Sequence, residues 1–127
     1  MGSCKARHAL AGSTFTIYFL VDDGGCPTED FLNGLAKGDA HASHKVTLAL
    51  DRLANRGIPV NGEVCEFLET DLWELKPFPV RLLFFRRAHR VYVTHGFKKK
   101  CQRTPRGELE RARRLRAAFG RDGEETE

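Results

Sequence analysis

Residues 93 to 119, VTHGFKKKCQRTPRGELERARRLRAAF, gather His95, Lys98, Lys99, Lys100 and Arg103 just ahead of Thr104-Pro105, a pair that opens helices. Alternation ending at Val93, a break at Gly96, three lysines and a helix start set cations, a histidine and a helix dipole's positive end side by side. Such a group suits phosphodiester anions, because backbone N–H groups at a helix start and fixed cations both favour negative charge. His95 titrates near neutral pH, so it reads as a proton carrier or as a structural hydrogen-bonding residue. Arg81 sits in the apolar run VRLLFF out of phase with Val80, Leu82 and Phe84. It reads as a phosphate clamp or as the ion-pair partner of Glu74. Glu74 and Lys76 share one face if LWELK is extended; Glu74 is a base or, as the favoured reading, Arg81's partner. Trp73 reads as a core residue, and His8, His41, His44 and His89, without a motif around them, as surface residues.

The charge balance points the same way. Residues 1–80 hold 7 Lys/Arg against 11 Asp/Glu, residues 81–121 hold 14 against 2, and residues 122–127 hold 0 against 4. The local net charges of −4, +12 and −4 concentrate the basic character in the last third, which implies a polyanionic partner. Alternatively, residues 106–121 form a solvated basic helix. Cys4, Cys26, Cys65 and Cys101 lie tens of residues apart with no Cys-x-x-Cys pair, against both a zinc site and a disulfide framework, and this suits a reducing cytoplasm. The apolar stretch from Ala9 to Val21 is interrupted by Gly12, Ser13, Thr14 and Thr16 and reads against a secretory signal. No window approaches the roughly 20 apolar residues of a membrane span.

The positioning elements follow from periodicity. Residues 1–12 show no usable period and are expected to be a flexible leader. Phe15, Ile17, Phe19 and Val21 alternate as a strand, and Asp22-Asp23-Gly24-Gly25 turns the chain. Thr28 is expected to cap a short helix ended by Gly38, and Asp39 a second helix ended by Gly57, the two forming a hairpin. Strands are expected at Leu72–Lys76, with pairing near Cys65–Leu68, at Val80–Arg86 and at Val91–His95, the last two joined by a turn at Arg87-Ala88-His89. A helix capped by Thr104 and closed by Gly120 carries Leu109, Ala112, Leu115 and Phe119 inward and Arg111, Arg113, Arg114 and Arg116 outward. The order β-α-α-β-β-β-α is an α+β fold: a small, mainly antiparallel sheet with an N-terminal helix hairpin and a C-terminal helix. One domain over residues 13–120 is expected, followed by a frayed acidic tail at 121–127.

LWELK at 72–76, VRLLFF at 80–85 and HGFKKKCQRTPRGELERA at 95–112 resemble the RelE/HigB-type toxins of bacterial type II toxin–antitoxin systems. The likeness is to the phage-derived branch with an HGF-x-KK-x-Q-K-TP-x-x-E signature. GCPTEDFLNGL and KVTLALDRLANRG are also similar to that branch, so the likeness spans roughly residues 13–119. KPFPV departs from it where relatives carry a longer, glycine-containing turn. The resemblance implies a RelE-like fold and a cytoplasmic endoribonuclease that cuts mRNA, commonly on the ribosome, with no metal and no cofactor. It implies a helix-turn-helix antitoxin as partner, operator DNA bound only through that antitoxin, and no membrane. Arg81 matches the family's strand arginine, and Lys99 and Lys100 its paired lysines; Lys98 fills the variable position.

RNA can be cleaved without metal when its 2′-hydroxyl attacks the adjacent phosphate, a base taking the hydroxyl proton, cations holding the charge and an acid protonating the leaving 5′-oxygen. Arg81, Lys99, Lys100 and His95 are the catalytic candidates, and Lys98, Arg103, Lys76 and Glu74 the substrate-binding ones. Two rivals remain: a ParE-like gyrase inhibitor without nuclease activity, and a non-catalytic basic nucleic-acid-binding module.

Overall fold

A computed structural model describes residues 4–122 and 124–126. Its elements are β1 (Lys5–Ala11), β2 (Thr16–Val21), α1 (Pro27–Gly38), α2 (Ala40–Arg56), β3 (Cys65–Glu69), β4 (Leu72–Leu75), β5 (Val80–Arg87), β6 (Arg90–Lys98), α3 (Arg106–Asp122) and β7 (Glu124–Thr126). The strands of the described residues form one sheet of order β3-β4-β5-β6-β2-β1-β7. Only β2 with β6 and β1 with β7 run parallel; the other pairs are antiparallel, so the expected α+β class with a mainly antiparallel sheet is the observed one.

The continuous apolar run of β5 reflects burial on both sides of the sheet. Val80, Leu82 and Phe84 join Ile17, Val91 and Val93 beneath Leu35, Val46 and Leu53 of the helix pair. Leu83 and Phe85 point the other way, to Ala112, Leu115 and Phe119 of α3. Tyr92 stacks on Tyr18 and on Phe85 with ring centroids 5.3 Å apart, and Phe119 lies 4.6 Å from it, so one aromatic column fixes α3 across the sheet centre. Trp73 stacks on Phe84 at 5.9 Å, the core role expected of it. The β5–β6 hairpin turns on Ala88-His89, Ala88 taking φ 55°, and Arg87 pairs with Arg90. Asp39 caps α2 by accepting from the Ala42 N–H at 3.1 Å, and Gly57, at φ 85°, ends it.

Several local expectations give way. Residues 5–11, expected within a flexible leader, form β1, antiparallel to β2. Alternation is absent there because only Ala6 of that strand is fully covered. Gly12 brings the turn after β1 onto α2, where a Cβ would lie 2.3 Å from the Ala54 carbonyl oxygen. Gly96 does not break its strand: β6 continues to Lys98, and the glycine admits α1, since a Cβ would stand 2.6 Å from Leu82 and 2.8 Å from Phe31. Thr28 is buried inside the first turn of α1, after Pro27, and makes no cap bond. The backbone of α3 runs past Gly120, and residues 124–126 of the expected frayed tail pair with β1; residues 1–3, 123 and 127 lie outside those described.

Candidate nucleic-acid interface

Two groups of charged side chains occupy the end of the sheet where β4 stops, β5 starts and β6 leads into α3. The inner group is buried and paired. The Glu74 carboxylate, 1% exposed, accepts from Arg81 Nη1 through Oε1 and from the Thr104 hydroxyl through Oε2, each at 3.0 Å. Arg81 is itself only 8% exposed. One carboxylate thus joins β4, β5 and the approach to α3, the partner role favoured for Glu74. Thr104, expected to cap α3, spends its hydroxyl on this bond; the first turn is closed by the Pro105 carbonyl, which accepts from the N–H groups of Glu108 and Leu109 at 3.1 Å. A buried pair of this kind is favourable only while both members are present.

His95 lies two positions along β6 from Phe97, the residue that faces Arg81 in the register, and is fully buried. Its Nε2 is 3.0 Å from Glu108 Oε1 and its Nδ1 3.0 Å from the Thr94 hydroxyl. Because a carboxylate can only accept, we assign the proton to Nε2; the Thr94 hydroxyl beside Nδ1 donates its own proton to the Leu83 carbonyl at 3.2 Å. Burial pulls the His95 pKa down to about 4, the nearby Arg111 adding to the shift and Glu108 opposing it. The ring is therefore neutral at pH 7, with both nitrogens enclosed by protein groups. The expectation that His95 meets a substrate proton directly conflicts with this enclosure.

The outer group is exposed, apart from the half-buried Lys99. Lys98 pairs loosely with Asp39 at 3.6 Å. The Lys99 N–H donates to the Pro79 carbonyl at 2.7 Å, while its Nζ reaches Gln102 Oε1 at 3.4 Å and stands 5.8 Å from the Phe78 ring centroid. Lys100 and Arg103 project without a side-chain ion pair among the described residues. Beside this loop a groove of about 540 Å³ runs between β3 and the start of α3, lined by Gln102, Arg103, Thr104, Arg106 and Arg113, with Glu66 and Leu68 opposite. Arg113 forks onto Glu69 at 2.6 to 3.1 Å and holds that carboxyl below its usual range, and Arg116 donates to the carbonyls of Thr70 and Asp71, so both fasten α3 to the β3–β4 turn.

The structure brings Glu74, Arg81 and Thr104 together and puts Arg103 in the groove wall, with Lys99 reaching the groove's Gln102 and Lys100 beside it in the chain. It does not bring Arg81 to the groove surface. Lys76 turns to Glu66 and the Gly62 carbonyl at the sheet edge. Arg106 and Gln102 line the groove without being candidates from the sequence, and Arg113, expected only to face outward from the last helix, lines it as well; both arginines follow from placing that basic helix against the β3–β4 hairpin. Among the described residues no three His, Cys, Asp or Glu side chains are arranged to hold a metal ion, and no helix is long and apolar enough to cross a membrane.

Residues 32–117, more than half of the chain, match the family model described as Phage derived protein Gp49-like (DUF891). No curated protein matches the sequence.

Proposed function

The chain belongs to the phage-derived Gp49-like family, which is associated with the toxins of toxin–antitoxin systems, and on that premise we propose that it is a RelE/HigB-like endoribonuclease. It acts in the cytoplasm on mRNA held by the ribosome, needs no metal, and is neutralised by a helix-turn-helix antitoxin. The observation that carries this reading is the groove at the start of α3, which Arg103, Arg106 and Arg113 line and whose Gln102 the half-buried Lys99 reaches, with the exposed Lys100 next to it in the chain.

A single-stranded chain in that groove places its phosphates against guanidinium and ammonium groups that have few competing partners. The 2′-oxygen forms a bond to the adjacent phosphorus as the P–O5′ bond breaks. The hydroxyl proton goes to a base and a proton is delivered to the leaving 5′-oxygen, leaving a 2′,3′-cyclic phosphate. Lys99 and Lys100 offset the charge gathered on the phosphoryl oxygens. Arg81 and Glu74 serve as positioning residues, holding the loop that carries those lysines to the sheet through Thr104. His95 positions Glu108 and the first turns of α3 in the same manner.

Purified protein added to translating ribosomes, followed by mapping of mRNA ends, tests the reading. Cleavage within codons is the expected result. Intact mRNA together with inhibited DNA supercoiling would move the chain to the gyrase inhibitors, and intact mRNA with unaffected supercoiling would leave a nucleic-acid-binding module.

A further inference from the structure

We propose that a second groove, on the sheet face away from α3, is the docking site for an acidic amphipathic segment of the neutralising partner, and that its occupancy reaches Lys99 through Phe78. The proposal rests on the toxin reading above. The groove, of about 470 Å³, runs between α2 and the turn at residues 77–79. Leu48, Val64 and Phe78 line it at 40%, 43% and 62% exposure, three of the five large hydrophobic residues that the described part of the chain leaves exposed. Exposed apolar side chains gathered in one concavity mark a place where another molecule completes the packing.

The rim identifies the occupant. Positions 45, 48, 52 and 56 recur at helical spacing, so α2 presents one stripe in which Leu48 stands among Lys45, Arg52 and Arg56. Lys76, on the opposite wall, is already paired with Glu66, so the rim cations are those of α2, and no acidic side chain lines the groove. Arg52 and Arg56 make no ion pair or side-chain hydrogen bond among the described residues. Apolar floor and cationic rim together fit a short helix or strand with apolar anchors flanked by Asp or Glu. RNA would satisfy the cations but leave the aliphatic wall of Leu48 and Val64 without a partner.

Phe78 carries the effect across the sheet. Lys45 and Lys99 each stand 5.8 Å from its ring centroid, and Lys99 also reaches Gln102 of the RNA-side groove. A side chain seated on Phe78 displaces or fixes the Lys99 ammonium without entering the other groove.

The test uses the full chain co-expressed with the helix-turn-helix antitoxin that the toxin reading calls for. Titration of that antitoxin is compared for the wild type, R52E/R56E and, as a control on the other face, R103E/R106E. We expect R52E/R56E to weaken binding at least about tenfold, with mRNA cleavage by the free variant unchanged, and R103E/R106E to change binding less than about threefold. Acid-to-lysine substitutions in the partner should restore binding to R52E/R56E, which excludes misfolding as the cause. Wild-type affinity in R52E/R56E overturns the docking site while leaving the nuclease intact, whereas a wild type that cleaves nothing sinks the toxin reading instead. Loss of RNA binding in R52E/R56E, or a change in the oligomeric state of the chain alone, assigns the groove to RNA or to a second copy and also overturns the proposal.

Discussion

The two charged groups at the end of the sheet are built in opposite ways, although His95 and Thr104 of the one flank Lys99, Lys100 and Arg103 of the other along the chain. Glu74, Arg81, Thr94 and His95 are buried and Thr104 is half-buried, and each has a named partner at 3.0 Å. Lys100, Arg103 and Arg106 stand toward solvent and Lys99 is half-buried, its ammonium making only a long contact to Gln102 and a ring contact to Phe78. Desolvated charges already committed to one another are poorly suited to taking up a ligand, because a ligand must first break the pair. Exposed cations around a groove lose little when a phosphate arrives and release counterions as it does. The inner group therefore holds the outer one in place, and the outer one meets the substrate.

Substitutions divide the two roles. The largest effect is expected for Glu74→Ala, which strands the Arg81 guanidinium and frees Thr104: a loss of about 3–5 kcal/mol in denaturant unfolding. A variant that unfolds at the wild-type midpoint would show that the inner group holds nothing. Next comes pH. His95 binds its proton less readily folded, near pH 4, than unfolded, near pH 6.5, so its contribution is fully present above about pH 6.5 and is lost as pH falls toward 4. The size is roughly 3 kcal/mol, and a stability–pH series on wild type and His95→Gln should show a shallower slope between about pH 4 and 6.5 in the variant. The smallest effect on folding is expected for Arg103→Ala with Arg106→Ala, within about 0.5 kcal/mol, since the Arg106–Glu110 pair at 3.1 Å is exposed. The same double variant should bind single-stranded RNA about tenfold more weakly, with the log–log salt slope reduced by about 0.7 per lost contact. Anisotropy titrations at several salt concentrations check this, and an unchanged slope would remove both arginines from the interface.

Much of the framework is legible in local pattern. The helix pair, the Asp39 cap, the Gly57 stop, the tight β5–β6 turn and the inward face of α3 all rest on signals within a few residues. What escaped is set by distant neighbours. The strand at residues 5–11 has no alternation because it lies near the sheet edge with Ala6 alone enclosed, and Gly96 looks like a break until Phe31 of α1 is seen against it. Thr104 carries the local marks of a cap, yet Glu74, thirty positions earlier, claims its hydroxyl. His95 shows the same limit for chemistry: residue type suggests a proton carrier, and enclosure by α3 decides otherwise. That the loop and the last helix are basic is readable in the sequence; the division of those cations into buried and exposed sets is not, because burial depends on where α3 docks.

The most direct test of that division is the rate of mRNA cleavage by Lys99→Ala with Lys100→Ala in the translating-ribosome assay, under conditions where unfolding curves show both proteins fully folded. The account predicts at least a tenfold slower rate at unchanged stability, as expected for removing charge stabilisation from a reacting phosphate. Cleavage at the wild-type rate would contradict it.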